Sequence, residues 1–316
     1  MGRGDLTNAE WERLKPLLPE GGRQGGRWND HRRTINGVLY RARTGLPWRD
    51  LPERFGPWIT VYKRHRRWSA DGTWHMLLTA IQAEQDAQGR MDWDISVDST
   101  TVRAHQHAAG APRTPHPAAR TARAAAAKGG RSRDKPGRSG AGRAGRPAGG
   151  GGQAGECLGR SRGGFTTKIH LAADGRCRAL SLVLTPGQYG DSPQLERVLR
   201  AVRVPRLGPG RPRTRPDSVA ADKAYSSRAN RVYLRRRKIR HTIPEPRDQR
   251  ANRRRRGSAG GRPTGFDTDR YKARNVVERA INRLKNFRAV ATRYDKRAYI
   301  FLGTVTLAAL VIWLRT

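Results

Sequence analysis

Hydrophobic positions in the N-terminal part of the chain recur with the spacing of α-helices. Thr7 and Glu10 form a capping box ahead of an apolar run, which predicts that a helix begins at residue 8. Across residues 30–43 the large apolar side chains fall on one helical face, and Gly45 then provides a stop. The members of that face are Ile35, Val38, Leu39 and Ala42. The pattern therefore predicts two helices before residue 46.

A third helix is predicted over residues 58–68, after a short helix and turn in residues 46–56. Its apolar side carries Val61, Tyr62, His65 and Trp68, and its basic side chains, mostly on the other side, are Lys63, Arg64, Arg66 and Arg67. A helix-turn-helix whose second helix enters the DNA major groove would show this pattern. An ordinary solvated basic face would show it too, so both interpretations stay open at this point.

Farther along, the pattern changes to that of strands. Trp93, Ile95 and Val97 alternate toward one side, so that Asp98 emerges on the opposite face. Residues 218–221 form a further apolar strand that leads directly into Asp222. Strand ends are where open α/β sheets expose their ligand-binding groups, which draws attention to both acids.

A hairpin and two helices complete the pattern. Residues 167–173 and 176–185 flank an Asp-Gly pair that is typical of a hairpin turn. Asp191, followed by Ser-Pro, predicts the N-cap and first turn of a helix, and a long helix is predicted from about residue 271 to residue 287. The order of strand, hairpin, helix, strand and helix predicts an α/β fold with a mixed sheet.

Residues 108–158 interrupt this pattern. They consist largely of Ala, Gly, Pro and Arg and contain almost no large apolar side chains. Such a segment cannot bury enough surface to offset the entropy lost on ordering. A disordered basic insertion is therefore predicted there.

The charge of the chain changes the picture most. Its 316 residues contain 65 Lys and Arg against 26 Asp and Glu, a formal net charge of +39. An excess of this size indicates a polyanionic partner, and nucleic acid or an anionic membrane surface would serve. The longest apolar stretch, residues 300–314, is shorter than the roughly 20 residues that a bilayer requires, so a buried helix is expected and no membrane partner. DNA contact by the third helix is accordingly favoured.

Location and metal chemistry follow from what the sequence lacks. The chain starts without the apolar run of a signal peptide, so the cytoplasm is expected. Its 2 cysteines exclude a disulfide scaffold and a four-thiolate zinc site. Any metal would therefore need oxygen or imidazole ligands.

A third acid, Glu278, belongs to the predicted C-terminal helix. At about 100 degrees per residue, Tyr271, Arg274, Glu278 and Lys285 would project within about 60 degrees of one another. Together with Asp98 and Asp222, Glu278 would supply carboxylates for a pair of divalent ions that activate an attacking oxygen and stabilise a leaving one. For each acid taken alone, a structural or solvated role is the simpler interpretation, and the joint placement is what favours chemistry.

Three short motifs give the sequence a family resemblance. They are Val97-Asp98-Ser99-Thr100, Asp222-Lys223-Ala224-Tyr225, and the pattern Y-x2-R-x3-E-x6-K formed by Tyr271, Arg274, Glu278 and Lys285. In these the chain resembles the DDE insertion-sequence transposases of the IS-four and IS-five superfamily. The resemblance extends over residues 159–168 and 291–296 and over the N-terminal module. It implies an RNase-H-like catalytic core, dependence on Mg²⁺ and recognition of terminal inverted repeats.

The resemblance also implies a domain plan and a mechanism. A helical DNA-binding domain is expected over residues 1–86 and an RNase-H-like catalytic domain over residues 87–316, interrupted at about 108–158. Catalytic and metal-binding roles fall to Asp98, Asp222 and Glu278 with two ions of Mg²⁺ or Mn²⁺, and supporting roles to Tyr271, Arg274 and Lys285. The protein would act at the nucleoid, as a homodimer or larger complex, on double-stranded DNA at element ends and target. The alternatives are a nuclease without strand transfer and a decayed, repressor-like DNA-binding protein.

Overall fold

A computed structural model describes residue 2 and residues 4–19, 30–111, 154–161 and 163–316. In these ranges the α-helices are α1 Asn8–Leu14, α2 His31–Thr44, α3 Trp58–Ala70, α4 Thr73–Ala87, α5 Gln106–Ala109, α6 Leu195–Ala201, α7 Arg228–Arg236, α8 Arg247–Arg255, α9 Thr268–Lys272, α10 Asn275–Lys285, α11 Arg288–Ala291 and α12 Ala298–Leu314. The strands are β1 Asp94–Ala104, β2 Gly159–Ser161, β3 Gly164–Ala173, β4 Ala179–Pro186, β5 Ser218–Ala221, β6 Arg240–Thr242 and β7 Thr292–Arg293.

The N-terminal helices begin and end where their caps predict. Thr7 Oγ1 accepts from Glu10 N at 3.2 Å while Thr7 N donates to a carboxylate oxygen of Glu10 at 2.9 Å, which closes the capping box of α1. Asp30 caps α2 by accepting from the backbone of its first turn, and Gly45 ends that helix with a φ of 72°. This left-handed backbone conformation favours glycine, because glycine has no Cβ.

One mixed sheet forms the centre of the described structure. Its neighbouring strands run in the order β2, β3, β1, β5 and β6, with β4 also paired to β3 and β7 to β1. β1 is antiparallel to β3 and parallel to β5, and β6 is parallel to β5 in turn. The predicted α/β fold with a mixed sheet is confirmed.

The predicted hairpin is present, but its turn is longer than the Asp-Gly pair alone. The strand β4 begins at Ala179, because residues 174–178 form a turn closed by a buried ion pair. Asp174 accepts from the guanidinium of Arg178 at 2.6 Å, and that guanidinium lies 3.8 Å from the ring centre of Trp313. The turn is thereby fixed against α12.

The helix α12 was expected to be buried, and it is. Most of its side chains are inaccessible, and α3 and α4 pack against it. Within the described ranges, every helix falls short of the length or apolar character needed to span a bilayer. The C-terminal apolar stretch therefore belongs to the core.

Sequence patterning missed α4, which connects the N-terminal helices to the sheet. Its Gln82 side-chain amide donates to the backbone oxygens of Ala179 and Leu180 at 3.3 and 3.2 Å. Arg41 of α2 forms an ion pair with Asp295 at 3.1 Å, and both side chains are almost inaccessible. The N-terminal helices thus share one continuous core with the residues after 87.

The prediction of a disordered insertion over residues 108–158 is wrong at both ends of that range. Residues 108–111 continue from α5, and Glu156 and Leu158 are buried. Glu156 accepts from the guanidinium of Arg297 at 2.8 Å and from the backbone of Ala298 at 2.7 Å. The remaining part of that prediction falls on residues 112–153, which lie outside the described residues.

Candidate active site

Two of the three predicted acids lie on neighbouring parallel strands, Asp98 within β1 and Asp222 immediately after the end of β5. The expectation of a strand-end position is therefore correct for Asp222 and wrong for Asp98, because β1 continues to Ala104 along β3. Val97 of β1 is the register partner of Ala221 of β5, so Asp98 and Asp222 are the next residues on each strand. Asp222 then caps a short 3₁₀ turn over Lys223–Tyr225 by accepting from the backbone of Ala224. The sheet itself therefore sets these two carboxylates side by side.

Arg274 joins the third acid to the first. Its guanidinium donates to Asp98 Oδ2 at 3.1 Å and also to Glu278 Oε1. Glu278 sits in the first turn of α10, and Arg274 is the residue that precedes this helix. One side chain thus bridges an acid of the sheet and an acid of a helix.

The helix that carries these residues is not continuous, and the prediction of one helix from Tyr271 to Phe287 is wrong. The helix α9 ends at Lys272 and α10 begins at Asn275. Between them Arg274 N bonds to Tyr271 O at 3.0 Å, a spacing of three residues instead of four. This tighter turn changes the course of the chain just where Arg274 reaches Asp98.

The supporting residues take different positions. The ring of Tyr271 lies 5.7 Å from the Arg274 guanidinium and 5.2 Å from the ring of Phe266. Lys285 follows Glu278 by two turns of α10, roughly 10 Å along the helix axis. Among the described residues Lys285 forms no ion pair with the three acids. Tyr271 therefore lies against Arg274, whereas Lys285 lies away from the three acids.

Burial and the charge of Asp222 destabilise the ionised form of Asp98, and a nearby cation would stabilise it. Burial raises the pKa of Asp98 and the charge of Asp222 raises it further, while the Ser99 backbone N–H and Arg274 act in the opposite direction. For Arg274, burial alone would lower the pKa, but the charges of Asp98 and Glu278 outweigh it and raise the pKa. Arg274 thus offsets the repulsion among these acids.

The donor chemistry fits a hard divalent ion, although the acids are not closed around a shared point. Within the described ranges no three His, Cys, Asp or Glu side chains stand close enough to share a metal ion. The groups at the site are carboxylate oxygens, the ligands that Mg²⁺ prefers. Arg274 bonds to one oxygen each of Asp98 and Glu278, and this contact competes with any cation for the same lone pairs.

A fourth acid near the site is Asp191. A helical segment begins at Ser192, as the Asp-Ser-Pro pattern predicts, but the expected capping role of the Asp191 side chain is wrong. Its side chain forms no capping bond, and Oδ1 instead accepts from Ser99 Oγ at 2.6 Å and from Lys168 Nζ at 3.0 Å. It also lies 3.6 Å from Nδ1 of the buried His170. Ser99 donates its backbone N–H to Asp98 Oδ1 at 2.8 Å, so this one residue links both acids.

Tyr225 lies within electrostatic range of Asp191, Asp98 and Asp222. Its side chain is almost completely buried, and burial together with the charges of Asp191, Asp98 and Asp222 raises the pKa of its phenol. The sequence signal that could have pointed to Asp191 is its position shortly after β4, because Asp222 likewise follows a strand. The helix-start pattern of Asp-Ser-Pro obscured that signal.

The basic residues of α3 do not share one face. Lys63, Arg66 and Arg67 are exposed, but the residue Arg64 is only 9% accessible. The Arg64 guanidinium donates to His31 Nδ1 at 2.9 Å and stacks 5.3 Å from the ring centre of Trp68. The expectation that Arg64 faces outward with its neighbours is therefore wrong, because the helix turns it toward the Trp68 side.

Comparison with known families covers nearly the whole chain. The family described as "Transposase DDE domain" matches residues 89–313, which contain Asp98, Asp222 and Glu278. The family described as "Putative transposase of IS4/5 family" matches residues 6–78. The mixed sheet together with the first of these matches identifies the core as RNase-H-like.

Several curated proteins are similar to parts of the chain. A putative transposase for insertion sequence element IS6501 of Brucella ovis is 33% identical over 151 residues, covering 48% of this chain and all of that protein. An uncharacterized protein y4sN of Sinorhizobium fredii is 42% identical over 110 residues, covering 34% of this chain and 83% of that protein. An uncharacterized 16.2 kDa protein of insertion element IS402 of Burkholderia cepacia is 34% identical over 112 residues, covering 33% of this chain and 76% of that protein. No solved structure matches the chain significantly.

Proposed function

Because this chain belongs to the family of transposases with a DDE domain, we propose that it binds the terminal inverted repeats of an insertion sequence, cleaves DNA there and transfers the freed 3′ end to target DNA. The observation that carries the proposal is that Arg274 bridges Asp98 and Glu278, while Asp222 follows the neighbouring strand at the register position next to Asp98. Here one arginine serves two acids while a third stands on the neighbouring strand.

The three acids are the proposed holders of Mg²⁺ or Mn²⁺, in a two-ion arrangement. Such ions supply activation of the attacking oxygen and stabilisation of the leaving oxygen in phosphodiester chemistry. Two properties of the chain favour this role. The donors are all carboxylate oxygens, and the repulsion between Asp98 and Asp222 is relieved by added positive charge.

Arg274 and its neighbours are the proposed positioning groups. The Arg274 guanidinium has a planar fork that suits a phosphate as well as a carboxylate. When its carboxylate partners turn to other ligands, it is free to bind the scissile phosphate. Tyr271 lies against it, and Lys285 lies farther along α10, where it would contact DNA beyond the cleavage point.

The N-terminal helices are proposed to recognise the DNA sequence of the element ends. Lys63, Arg66 and Arg67 are exposed on α3 and would contact phosphates and base edges. Because two element ends must be joined in one event, the working form is proposed to be a homodimer or a larger synaptic complex. Its place of action would be the bacterial nucleoid.

The test uses the purified full chain with a duplex that carries the element end, identified as the inverted repeat flanking the gene. With Mg²⁺ or Mn²⁺ present, the protein is expected to nick this duplex and to join its 3′ end to a second DNA. Asp98→Asn, Asp222→Asn and Glu278→Gln should each abolish nicking and joining while end binding persists. The control is Asp269→Asn, which neutralises an exposed acid of α9 and should leave both activities intact.

The same assay separates the two alternatives. Nicking that never proceeds to joining would identify a nuclease without strand transfer. A wild-type protein that binds end DNA but does not nick it would identify a decayed, repressor-like protein. Either outcome overturns the proposal.

A further inference from the structure

A basic cleft lies apart from the three acids, along the β6 edge of the sheet. It is formed by α7, β6, α8 and the segment before α9, and its volume is ≈ 990 Å³. The cations that line it and are exposed are Arg228, Arg235, Lys238, Arg240 and Arg262, and we call them the cleft cations. The functional residues discussed so far do not include any of them.

The charge of this cleft is not balanced from within. The acid in its lining is Glu245, and Arg253 already binds it at 3.0 Å. Arg231, another lining residue, donates to Ser226 Oγ and to Ile243 O, each at 3.0 Å. These hydrogen bonds give Arg231 a structural role. By contrast, none of the ion pairs among the described residues includes a cleft cation. Five positive charges in one concave surface repel one another until a polyanion enters.

The position of the cleft relates it to the candidate active site. β6 runs parallel to β5, with Arg240 opposite Ser218, so both strands direct their carboxyl ends toward the same edge as Asp222. The helix α7 begins at Arg228, shortly after Asp222, and extends along the cleft. Its nine residues span about 13 Å, which corresponds to roughly four phosphates along one DNA strand.

The chemistry of the lining indicates how a nucleic acid would be held. The described lining residues contain no Phe, Tyr or Trp, so the cleft offers no platform for stacking unpaired bases. Its functional groups are mainly guanidinium and ammonium groups on long, exposed stems. Groups of this kind bind phosphates and carry no sequence information by themselves.

We propose that the cleft cations hold the phosphate backbone of target DNA, independently of its sequence, beside the edge where Asp222 lies. This inference rests on the proposed function and adds to it the place where target DNA enters. Element ends require sequence recognition, whereas a target that varies from one insertion to the next requires a surface that does not discriminate. The cleft has the second property.

The experiment compares two triple variants of the full chain with equal loss of charge. The cleft variant is Arg228→Gln with Arg235→Gln and Lys238→Gln. The control variant is Arg203→Gln with Arg236→Gln and Arg254→Gln, which are exposed and do not line the cleft. Fluorescence anisotropy measures binding of a random-sequence duplex and of the element-end duplex over a range of salt concentrations.

The cleft variant is expected to weaken random-duplex binding by at least tenfold. The slope of log K against log salt is negative, and its magnitude should decrease by about 3, close to 1 per lost phosphate contact. The variant's affinity for the element end should fall less than its affinity for random DNA. The control variant should keep the wild-type affinity for random DNA and the wild-type preference for ends. Equal losses in the two variants, or equal losses on the two duplexes, would overturn the assignment.

The single variant Arg228→Gln keeps the test valid if the triple variant fails to fold. It should reduce the magnitude of the salt slope by about 1 and leave the melting temperature unchanged. An unchanged slope would contradict the proposal. Random-duplex binding does not require cleavage. A wild-type protein that binds random DNA through the cleft but never nicks element ends would therefore overturn the transposase proposal and leave the cleft as a DNA-binding surface.

Discussion

The guanidinium of Arg274 donates to the carboxylate of Asp98 at 3.1 Å across 176 residues of sequence. The same guanidinium bonds to Glu278, so it holds together an acid from the sheet and an acid from a helix. Asp98 is half-buried and destabilised by burial and by the charge of Asp222. Arg274 therefore stabilises the folded site while it competes with any metal for the same oxygens.

Replacing Arg274 with Gln should tighten metal binding and impair catalysis. Without the guanidinium, the oxygens of Asp98 and Glu278 lose the partner that competes with a metal ion. A charged hydrogen bond contributes about 1.5 to 3 kcal/mol, so Mn²⁺ affinity should increase by about tenfold or more. Mn²⁺ binding is measured by calorimetry or by its paramagnetic resonance signal, and nicking is measured on the element-end duplex.

The matched control for this prediction is Arg279→Gln, an exposed arginine one residue after Glu278. It should change Mn²⁺ affinity and nicking little. Weaker Mn²⁺ binding by the Arg274→Gln protein would show that the guanidinium supports the metal site instead of competing with it.

Replacing Asp191 with Ala should slow nicking while DNA binding persists. Asp191 holds the Ser99 hydroxyl, and the Ser99 backbone N–H orients Asp98 Oδ1. Loss of this link should allow Asp98 to leave its productive position, and a small misplacement of such a group lowers the rate by about a hundredfold. Asp191→Asn retains an oxygen acceptor for Ser99 and should restore part of the single-turnover rate.

The control for Asp191 is Asp217→Asn, which removes an exposed ion pair with Arg213. A single-turnover rate that is equal in the Asp191→Ala protein and the wild type would limit Asp191 to a role in stability. Equal rates in the Ala and Asn variants would exclude the hydrogen bond to Ser99 as the cause.

Acidification should destabilise the protein through His65. Its Nδ1 accepts from Trp74 Nε1 at 3.1 Å, which leaves Nε2 to donate to Thr304 Oγ1 at 3.2 Å. Burial lowers the pKa of His65 from 6.5 to about 4, so between these values the unfolded chain binds a proton that the folded chain does not. The free energy of unfolding should therefore fall as pH decreases from 6.5 to 4, by roughly 3 kcal/mol from this residue.

Urea unfolding at several pH values measures this dependence. In the His65→Gln protein the slope of stability against pH should be smaller across that window than in the wild type. His107→Gln changes an exposed histidine and should keep the wild-type slope. Identical slopes in the wild-type and His65→Gln proteins would refute the assignment to His65.

Replacing Asp295 with Asn should destabilise the fold strongly. Asp295 pairs with Arg41, and the side chains of Arg41 and Asp295 are 3% and 4% accessible. Removal of one partner leaves a buried charge without compensation, which costs about 3 to 5 kcal/mol. Urea unfolding should show this loss, whereas Glu196→Gln, in an exposed pair with Arg200, should have little effect. A loss below about 1 kcal/mol for Asp295→Asn would indicate that water replaces the carboxylate.

Local patterns predicted the elements on which the site depends. Alternation around Asp98, the apolar run before Asp222 and the caps of α1 and α2 depend on neighbours within a few residues. Such signals are set by backbone geometry and side-chain periodicity, which a sequence displays directly. The mixed α/β fold followed from their order.

The long-range contacts could not be predicted in this way. The break between α9 and α10, the inward turn of Arg64 and the pairing of Asp191 with Ser99 all depend on partners brought close by packing. Asp191 had a strong local signal for an N-cap, yet Ser99 and Lys168 compete for its carboxylate. A charged partner within hydrogen-bonding distance outweighs the modest stabilisation of a cap.

The sequence by itself determined the family and the large excess of basic residues, and it predicted the kind of chemistry from the identity of three acids. The tertiary structure decided which side chains meet: Arg274 with Asp98 and Glu278, Asp191 with Ser99, and the cleft cations with one another. The physical reason is that periodicity places a side chain on a face of its own element, whereas its partner on another element is chosen by the packing of the whole core.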